Sequence, residues 1–200
     1  MTYLLRISAS PRGTGSHSRR FADLVAENIL RRHAINRVVL RDLTGSSMPC
    51  IDSAYVQAML AHISREASSG VAALRHSEQL IEELAAAHAL LIDTPVHNYT
   101  VPAALKTWID YVVRVGRTFK STPAGKVGTL RDRPTVVVSA SGGYFSGSAP
   151  QPDFFAPYLD AVLATIGIRS VRHIRLEGLR RGDDAVRAAY ARAEQQLSSL

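Results

Sequence analysis

Residues 3–7, with the sequence YLLRI, are a short apolar run that ends at Ser8, and the loop ASPRGTGSHS follows at residues 9–18. An apolar run bounded by proline and glycine predicts a buried strand followed by a loop. From Ser18 the apolar residues recur at helical spacing: Phe21, Leu24, Val25 and Ile29. They predict a helix that ends in the basic turn at 31–33. The chain therefore starts with a strand, a loop and a helix.

The same alternation continues to the end of the chain. Apolar strands are predicted at 37–40, 89–92, 135–138 and 171–176, and helices at about 52–66, about 70–87, 102–113, 158–166 and 186–197. Pro95 ends the strand at 89–92, while Gly116 and Gly167 each close a helix. Apolar strands that alternate with helices are typical of parallel sheets covered on both faces. We therefore predict an α/β fold, a three-layer doubly wound sandwich with a five-stranded parallel sheet of order 2-1-3-4-5, in one domain spanning residues 1–200.

Composition excludes several classes of protein. The chain has 200 residues, of which 46% are hydrophobic, and this is too many for a disordered tail. Its one cysteine, Cys50, cannot form an internal disulfide, which fits a reducing compartment. The sequence has no basic leader with an apolar core and no run near the ~20 apolar residues of a membrane span. We expect a soluble, cytoplasmic protein without a membrane partner.

The net charge of +7 makes acidic partners conceivable. However, the arginines are distributed over several elements at 19–20, 31–32, 131–133 and 180–181, and stacking aromatic residues do not alternate with them. We interpret them as solvated surface and expect no nucleic-acid partner.

Three loops follow the carboxyl ends of strands one, three and four, where doubly wound sheets bind ligands. The first offers Ser10, Ser16, His17 and Ser18 at a helix N-terminus, which suits a phosphate or is simply a helix cap. The third (94–102) has two prolines and places Asn98 where it can contact a polar ring edge, although an ordinary turn would look similar. The fourth (139–145) pairs glycines with two aromatic residues, which suits a flat ligand or a flexible loop.

Other chemistries lack their motifs. Gly13-x-Gly15 is followed by Ser18 rather than a third glycine, and no P-loop motif or G-x-S-x-G elbow occurs. Val56 stands where a phosphatase with a Cys50 nucleophile would need arginine. The seven histidines never occur at metal-ligand spacing, so no metal site is predicted. Hydride chemistry on a bound cofactor remains, because there the protein mainly positions the cofactor.

Several segments, in this order, resemble the FMN-dependent NADH azoreductase family of flavodoxin-like quinone reductases. They are the Ser10 to Ser18 loop, 95–99, 105–110 (LKTWID), 116–119 (GRTF), 141–143 and the stretch from Pro157 to Ile168. The match covers nearly the whole chain and keeps the spacing of the family.

The resemblance implies a homodimer with one FMN per subunit, an active site completed at the subunit interface, and ping-pong transfer of two electrons from NADH or NADPH to a quinone or azo compound. No side chain would act as a catalytic acid or base, since the chemistry occurs at N5 of the flavin. The residues implied for FMN binding are Ser10, Ser16, His17, Ser18, Pro95, Val96, His97, Asn98, Tyr99, Ala140, Ser141, Gly142 and Gly143. The substrate pocket would be lined by Phe119, with Tyr144 or Phe145.

Two departures concern the flavin loops. The family often has Met-Tyr-Asn-Phe at 96–99 and Ser-Arg-Gly-Gly at 140–143, where this chain has VHNY and ASGG. Loss of the arginine can alter the reduction potential or the nicotinamide preference, and His97 adds a protonatable group. Two alternative functions stay open, an NADPH-dependent FMN reductase and a non-catalytic flavodoxin-like electron carrier.

Overall fold

The computed structural model describes residues 2–45, 48–64, 71–147 and 150–199. Within them, seven strands, six α-helices and a 3-10 turn at Gly13–Gly15 follow one another along the chain. The order is β1 (Tyr3–Ser8), α1 (His17–Arg32), β2 (Arg37–Asp42), α2 (Ser53–Ser64), α3 (Val71–Ala86), β3 (Ala89–Pro95), α4 (Ala103–Val112), β4 (Phe119–Thr122), β5 (Gly125–Gly128), β6 (Thr135–Ala140), α5 (Phe155–Ile166), β7 (Val171–Leu176) and α6 (Asp183–Ser198).

Five strands form one parallel sheet with the order β2-β1-β3-β6-β7. In its centre Leu5 pairs with Leu90, and Ile92 pairs with Val137. Because β6 and β7 are the fourth and fifth strands predicted from the sequence, the predicted order 2-1-3-4-5 is confirmed. All carboxyl ends of these strands lie at one edge of the sheet, so the loops that follow them meet there.

Helices cover both faces of this sheet, which explains why its central strands are apolar throughout. Leu90 and Ile92 of β3 pack into the core beneath α2 to α5, whereas Ala89 and Leu91 pack into the core beneath α1 and α6. Successive side chains of a strand point to opposite faces, so a strand buried on both faces needs an apolar residue at every position. No helix in the described part of the chain is long and apolar enough to cross a membrane.

Most element boundaries differ from prediction by a few residues. β2, β3 and β6 continue to Asp42, Pro95 and Ala140, beyond the predicted ends at 40, 92 and 138, because ladder pairing continues through their polar ends. α5 begins three residues earlier than predicted, at Phe155. The predicted helices at 52–66 and 70–87 contain residues 65–70, and the predicted loop at 139–150 contains 148–149; these residues lie outside the described ranges.

The antiparallel hairpin of β4 and β5 was absent from the prediction. Its strands are four residues each and almost wholly exposed, so they carry no apolar alternation to reveal them. The prediction that Gly116 closes the preceding helix was wrong, because α4 ends at Val112. Gly116, with φ of 77°, instead turns the chain into the hairpin, and its N–H donates to the Phe119 carbonyl at 2.8 Å. Gly167 does close α5, with φ of 107°.

Arg133 contradicts the interpretation of the arginines as solvated surface. Its guanidinium is buried just before β6 and donates hydrogen bonds to the carbonyls of Leu84 and, at 2.8 Å, Ala87 at the end of α3. Burial lowers the pKa of Arg133. The side chain thus satisfies helix-end carbonyls that would otherwise be orphaned and joins α3 to the start of β6.

Candidate functional site

A cleft of about 710 Å³ lies at the edge where the strands have their carboxyl ends. Its lining comes from the loops after β1, β3, β6 and β7: Ser10, Arg12, Ser16, His17, Pro95, Val96, His97, Ala140, Ser141, Gly142, Leu179 and Arg180. A smaller recess of about 220 Å³ shares Val96, Ser141 and Gly142 and adds Asn98, Tyr99 and Gln151. The cleft is large enough for a ligand of cofactor size.

The loop after β1 presents hydroxyl groups at the N-terminus of α1. Ser16 is the N-cap, and its Oγ accepts a hydrogen bond from the Arg19 N–H at 3.3 Å. The Ser18 Oγ lies 3.0 Å from the Ser16 Oγ and is fully buried. The first turn of a helix has backbone N–H groups without intrahelical acceptors, and its dipole favours negative charge. This end of the cleft can therefore hold a phosphate.

Arg19 fixes the path of this loop. Its Nη2 donates to the Ser10 carbonyl at 2.8 Å, and the guanidinium binds both carboxylate oxygens of Asp42 at 2.7 and 2.8 Å. These hydrogen bonds, with others from Thr44, lower the pKa of Asp42 to about 2. The loop after β1 is thus tied to the end of β2 by a bidentate, charge-assisted contact.

His17 contributes an uncharged ring to the cleft. Its Nδ1 lies 3.0 Å from Arg20 Nη2 and 3.2 Å from the hydroxyl of Tyr190. Arginine can only donate, so Nδ1 accepts and the ring proton lies on Nε2. Burial lowers the pKa of His17, and the charges of Arg20 and Arg12 lower it further. His17 is therefore neutral at pH 7 and acts as a hydrogen-bonding group.

The loop after β3 contains a tight turn with two residues at positive φ. His97 and Thr100 exchange backbone hydrogen bonds of 2.9 and 3.0 Å around Asn98 (φ 47°) and Tyr99 (φ 71°). This is the type I′ pattern, in which both central residues are left-handed. Asparagine tolerates that conformation, whereas Tyr99 is strained by about 1–3 kcal/mol. Such strain accumulates at functional sites, so the turn points to a ligand-binding role.

The loop after β6 is held by the segment after β7. Ser141 N–H donates to the Leu176 carbonyl at 2.9 Å, Gly178 N–H to the Gly143 carbonyl at 3.0 Å, and Leu179 N–H to the Ser141 carbonyl at 3.1 Å. These backbone hydrogen bonds fix the two irregular segments relative to each other. Their fixed path sets the far wall of the cleft.

The cleft is positively charged. Its lining includes Arg12 and Arg180 and no carboxylate among the described residues. No cluster of three or more metal-ligating side chains occurs within the described ranges. Hydroxyls, a helix N-terminus and arginines together suit an anionic ligand bound without a metal.

A family model described as the flavodoxin-like fold matches residues 2–200. The chain belongs to this flavodoxin-like family. Among curated relatives, FMN-dependent NADH:quinone oxidoreductase 2 of Cupriavidus pinatubonensis is 45% identical over all of this chain and 98% of its own length. FMN-dependent NADH:quinone oxidoreductase 5 of Burkholderia lata is 47% identical over 96% of this chain and 95% of its own length. These relatives confirm the family resemblance drawn from the sequence.

Solved structures of other proteins have the same fold. An azoreductase from Bacillus anthracis str. Sterne superposes with a TM-score of 0.87 at 23% identity, covering 100% of this chain and 98% of that one. An FMN-dependent NADH-azoreductase from Bacillus anthracis str. Ames Ancestor, solved in complex with FMN, has a TM-score of 0.83 at 24% identity and covers 100% and 99%.

The flavodoxin-like fold brings most of the sequence-predicted binding residues together. Nine of them line the cleft directly: Ser10, Ser16, His17, Pro95, Val96, His97, Ala140, Ser141 and Gly142. Asn98 and Tyr99 line the adjoining recess. Ser18 lies beneath Ser16, while Gly143 faces Gln151 and is hydrogen-bonded to Gly178 rather than lining the cleft. The binding role of these residues stays a prediction.

The three aromatic residues predicted to line a substrate pocket lie elsewhere. Phe119 is buried in the β4–β5 hairpin with Lys126 over its ring. Tyr144 packs against Gly178, and the Phe145 ring lies under the Arg175 guanidinium at 5.0 Å. The structure brings none of the three to the lining of the cleft or the recess.

Sequence reasoning missed the contribution of the segment after β7. Leu179 and Arg180 line the cleft, as does Arg12 from the loop after β1. A signal for this segment exists, since β7 is predicted to end at residue 176 and the carboxyl ends of parallel strands share one edge. The fifth strand therefore also delivers its loop, which contains Gly178 and two arginines, to the ligand-binding edge.

Proposed function

We propose that this protein is an FMN-dependent NAD(P)H oxidoreductase that transfers two electrons to quinones and azo compounds in a ping-pong cycle. The observation that carries the proposal is the 710 Å³ cleft, where serines at a helix N-terminus face the loops after β3 and β6. Relatives at 45–47% identity over nearly the whole chain are named FMN-dependent NADH:quinone oxidoreductases, which supports the cofactor, donor and acceptor class.

The residues at the helix N-terminus fit the phosphate of FMN. Ser10 and Ser16 provide hydroxyls at the cleft, Ser18 supports the Ser16 hydroxyl from behind, and the first turn of α1 provides backbone N–H groups. Arg12 and the positive end of the helix dipole complement the charge of the phosphate. The absence of any carboxylate from the described lining removes the repulsion that would exclude a phosphate.

The loops after β3 and β6 fit the isoalloxazine ring. Val96 and Tyr99 offer apolar surface, Asn98 offers an amide for the polar edge of the ring, and the fixed backbone at 140–143 offers oriented dipoles. Bound FMN would supply acceptance of a hydride at N5 and donation of two electrons to the acceptor. The residues of the chain bind and orient it, and oriented dipoles stabilise negative charge that develops at the ring. No side chain acts as an essential acid or base.

We further propose a cytoplasmic homodimer of single-domain subunits, with each site completed at the subunit interface. Tyr99 beside the recess is 49% exposed, and Phe154, three residues after Gln151, is 62% exposed. Exposed aromatic residues around a binding site are typical of a surface that a partner covers. Sedimentation of the purified protein at micromolar concentration tests this: the mass of one subunit would contradict a shared site.

The direct test of the function is the visible absorption spectrum of the purified protein, before and after anaerobic addition of NADH or NADPH. Flavin bands that bleach would demonstrate a bound, reducible FMN and identify the donor. Steady NAD(P)H oxidation with a quinone would then exclude a mere electron carrier, and retention of FMN through purification would exclude an enzyme that uses flavin as a released substrate. Failure to bind FMN after reconstitution would refute the proposal.

Two variants accompany this test. Asn98→Ala removes the amide from the recess, and we expect weaker FMN binding or slower turnover. Cys50→Ala is the matched control, because Cys50 is exposed and lies outside the cleft. A large loss of rate in the cysteine variant would contradict a mechanism in which FMN alone carries the chemistry.

A further inference from the structure

The backbone on both sides of Arg180 is held by hydrogen bonds, although its side chain is exposed. The preceding residues, Gly178 and Leu179, donate hydrogen bonds to the loop after β6, and the Arg181 N–H donates to the Gly178 carbonyl at 3.0 Å to close a tight turn. Arg180 therefore belongs to a segment whose backbone is hydrogen-bonded to the loop after β6, which forms one wall of the cleft.

The side chain of Arg180 crosses Gly142. A Cβ added at Gly142 would lie 2.8 Å from Arg180 Cδ and 2.9 Å from Cγ, so a larger residue at 142 would displace the Arg180 side chain from this position. The same arginine lines the cleft. The absence of a side chain at Gly142 thus leaves room for an arginine from a different loop.

The guanidinium of Arg180 has no carboxylate or hydrogen-bond partner among the described residues, in contrast to two other arginines near this edge of the sheet. Arg19 pairs with Asp42, and Arg175 pairs with Asp153 at 2.6 Å. An arginine whose charge is not neutralised, next to a cleft whose described lining has no carboxylate, is available to an anionic ligand.

We propose that Arg180 sets the redox balance of the bound cofactor by stabilising the negative charge that the flavin ring gains on reduction. This inference rests on the function proposed above. A hydride from NADH brings two electrons and one proton and leaves NAD⁺ and a ring with one additional negative charge. A cation beside the loop at 140–143, which we expect to face the pyrimidine side of the ring, attracts this charge and has no such effect on the oxidised ring.

The main competing role for Arg180 is a contact to a phosphate, either that of FMN or the 2′-phosphate of NADPH. A phosphate carries its charge in both redox states, so an arginine bound to it stabilises oxidised and reduced FMN equally. The two roles therefore differ in what they do to the midpoint potential. A contact to the FMN phosphate would change the affinity for FMN but not that for riboflavin, whereas a contact to the 2′-phosphate would change the KM for NADPH but not that for NADH.

The experiment compares the reconstituted holoprotein with Arg180→Gln, Arg180→Lys and the matched control Arg181→Gln. Arg181 is adjacent, carries the same charge and is exposed as Arg180 is, but it does not line the cleft. The readouts are the dissociation constants for oxidised FMN and for riboflavin, from quenching of flavin fluorescence, and the midpoint potential, from spectroelectrochemical titration. The KM values for NADPH and NADH are measured alongside them.

We expect Arg180→Gln to weaken binding of reduced FMN about tenfold more than binding of oxidised FMN, which lowers the two-electron midpoint by about 30 mV. Arg180→Lys retains most of the wild-type potential because it keeps the charge, and Arg181→Gln leaves it unchanged.

An unchanged midpoint in Arg180→Gln, or equal shifts in Arg180→Gln and Arg181→Gln, would overturn the inference while the proposed function stands. Weaker affinity for FMN with unaltered affinity for riboflavin, or a raised KM for NADPH with an unaltered KM for NADH, would assign Arg180 to a phosphate if the midpoint is unchanged, and would also overturn the inference. A wild-type protein that does not bind FMN would refute the proposed function itself.

Discussion

Replacing Arg6 with methionine tests the buried polar network beneath the cleft. Asp93 of β3 is fully buried, and its Oδ2 accepts from Arg6 Nε at 2.8 Å while its Oδ1 accepts from Ser8 Oγ at 2.7 Å. Arg6 also donates to Asp23 Oδ1 at 2.5 Å and to the Arg19 carbonyl at 2.9 Å. The network joins β1, β3 and α1 just below the loops that form the cleft.

The magnitude follows from what the methionine variant leaves behind. Asp93 would keep one hydroxyl partner but lose its only salt-bridge partner among the described residues, at a site with no exposure to solvent. Removing one partner of a buried ion pair costs about 3–5 kcal/mol, because the remaining charge is uncompensated. For a chain of this length each kcal/mol lowers Tm by about 2–4 °C. We therefore expect Arg6→Met to lower Tm by about 6–20 °C.

The assay is thermal and urea unfolding of the wild type, Arg6→Met and the double variant Arg6→Met/Asp93→Leu. The double variant removes both charges, so it should recover much of the lost stability. Lys106→Met is the surface control: the Lys106–Asp110 pair is about half exposed, and its loss should cost less than about 1 kcal/mol. A cost below about 1 kcal/mol for Arg6→Met would show that the buried network does not behave as an ion pair and would refute this reasoning.

Three further predictions concern single positions. Tyr99→Gly should raise the free energy of unfolding of the apoprotein by about 1 kcal/mol, because relief of the positive-φ strain exceeds the additional conformational entropy of glycine; thermal unfolding checks this, and a lower Tm would contradict it. Gly167→Ala should cost about 2 kcal/mol or more in urea unfolding, since φ is 107° and the new Cβ would lie 2.4 Å from the Leu130 carbonyl oxygen; wild-type stability would refute the assignment of strain. Asp42 has its pKa lowered to about 2, chiefly by hydrogen bonds from Arg19, so its contribution to stability is present above pH ~4 and is lost as the pH falls to about 2. Asp42→Asn should flatten the stability curve in this window when urea midpoints are measured against pH, and an unaltered curve would argue against the pair.

Much of the fold could be predicted because the strands of a sheet buried on both faces are apolar throughout. Residues 89–92 carry this signal, and the strand order 2-1-3-4-5 is that of the flavodoxin-like sheet, in which the crossovers between parallel strands are right-handed. Polar residues inside such strands carry no equivalent signal. The contact between Arg6 and Asp93 spans 87 positions, and nothing local in the sequence indicates it. The β4–β5 hairpin was missed for a related reason, because its exposed strands bury too little to impose a pattern.

The part of the candidate site formed by the loops after the first, third and fourth strands could be predicted, because doubly wound sheets bind ligands at the carboxyl ends of their strands. Residues of the loops after the first, third and fourth strands were predicted to bind the ligand, and they do meet in the cleft. Arg180 follows the fifth strand and was not among the predicted residues. The orientation of Tyr144 and Phe145 could not be predicted, because it depends on Gly178 and Arg175 of a neighbouring strand and its loop. The sequence indicates at which edge of the sheet a residue lies. The orientation of its side chain depends on contacts with residues that are distant in sequence.

The contact between Arg133 and the end of α3 also bears on how the protein is made. The guanidinium reaches carbonyls that precede it by 46 and 49 positions, and β6, the partner of the free edge of β3, begins two residues later. At about 5–20 residues per second, a ribosome needs roughly 2–10 s to add this length of chain. During that interval the carbonyls at the end of α3 lack the Arg133 guanidinium, and β3 has one open edge, which is the kind of surface that pairs with other chains. Before β6 is synthesised, the open edge of β3 is therefore the part of the nascent chain that a chaperone would need to cover.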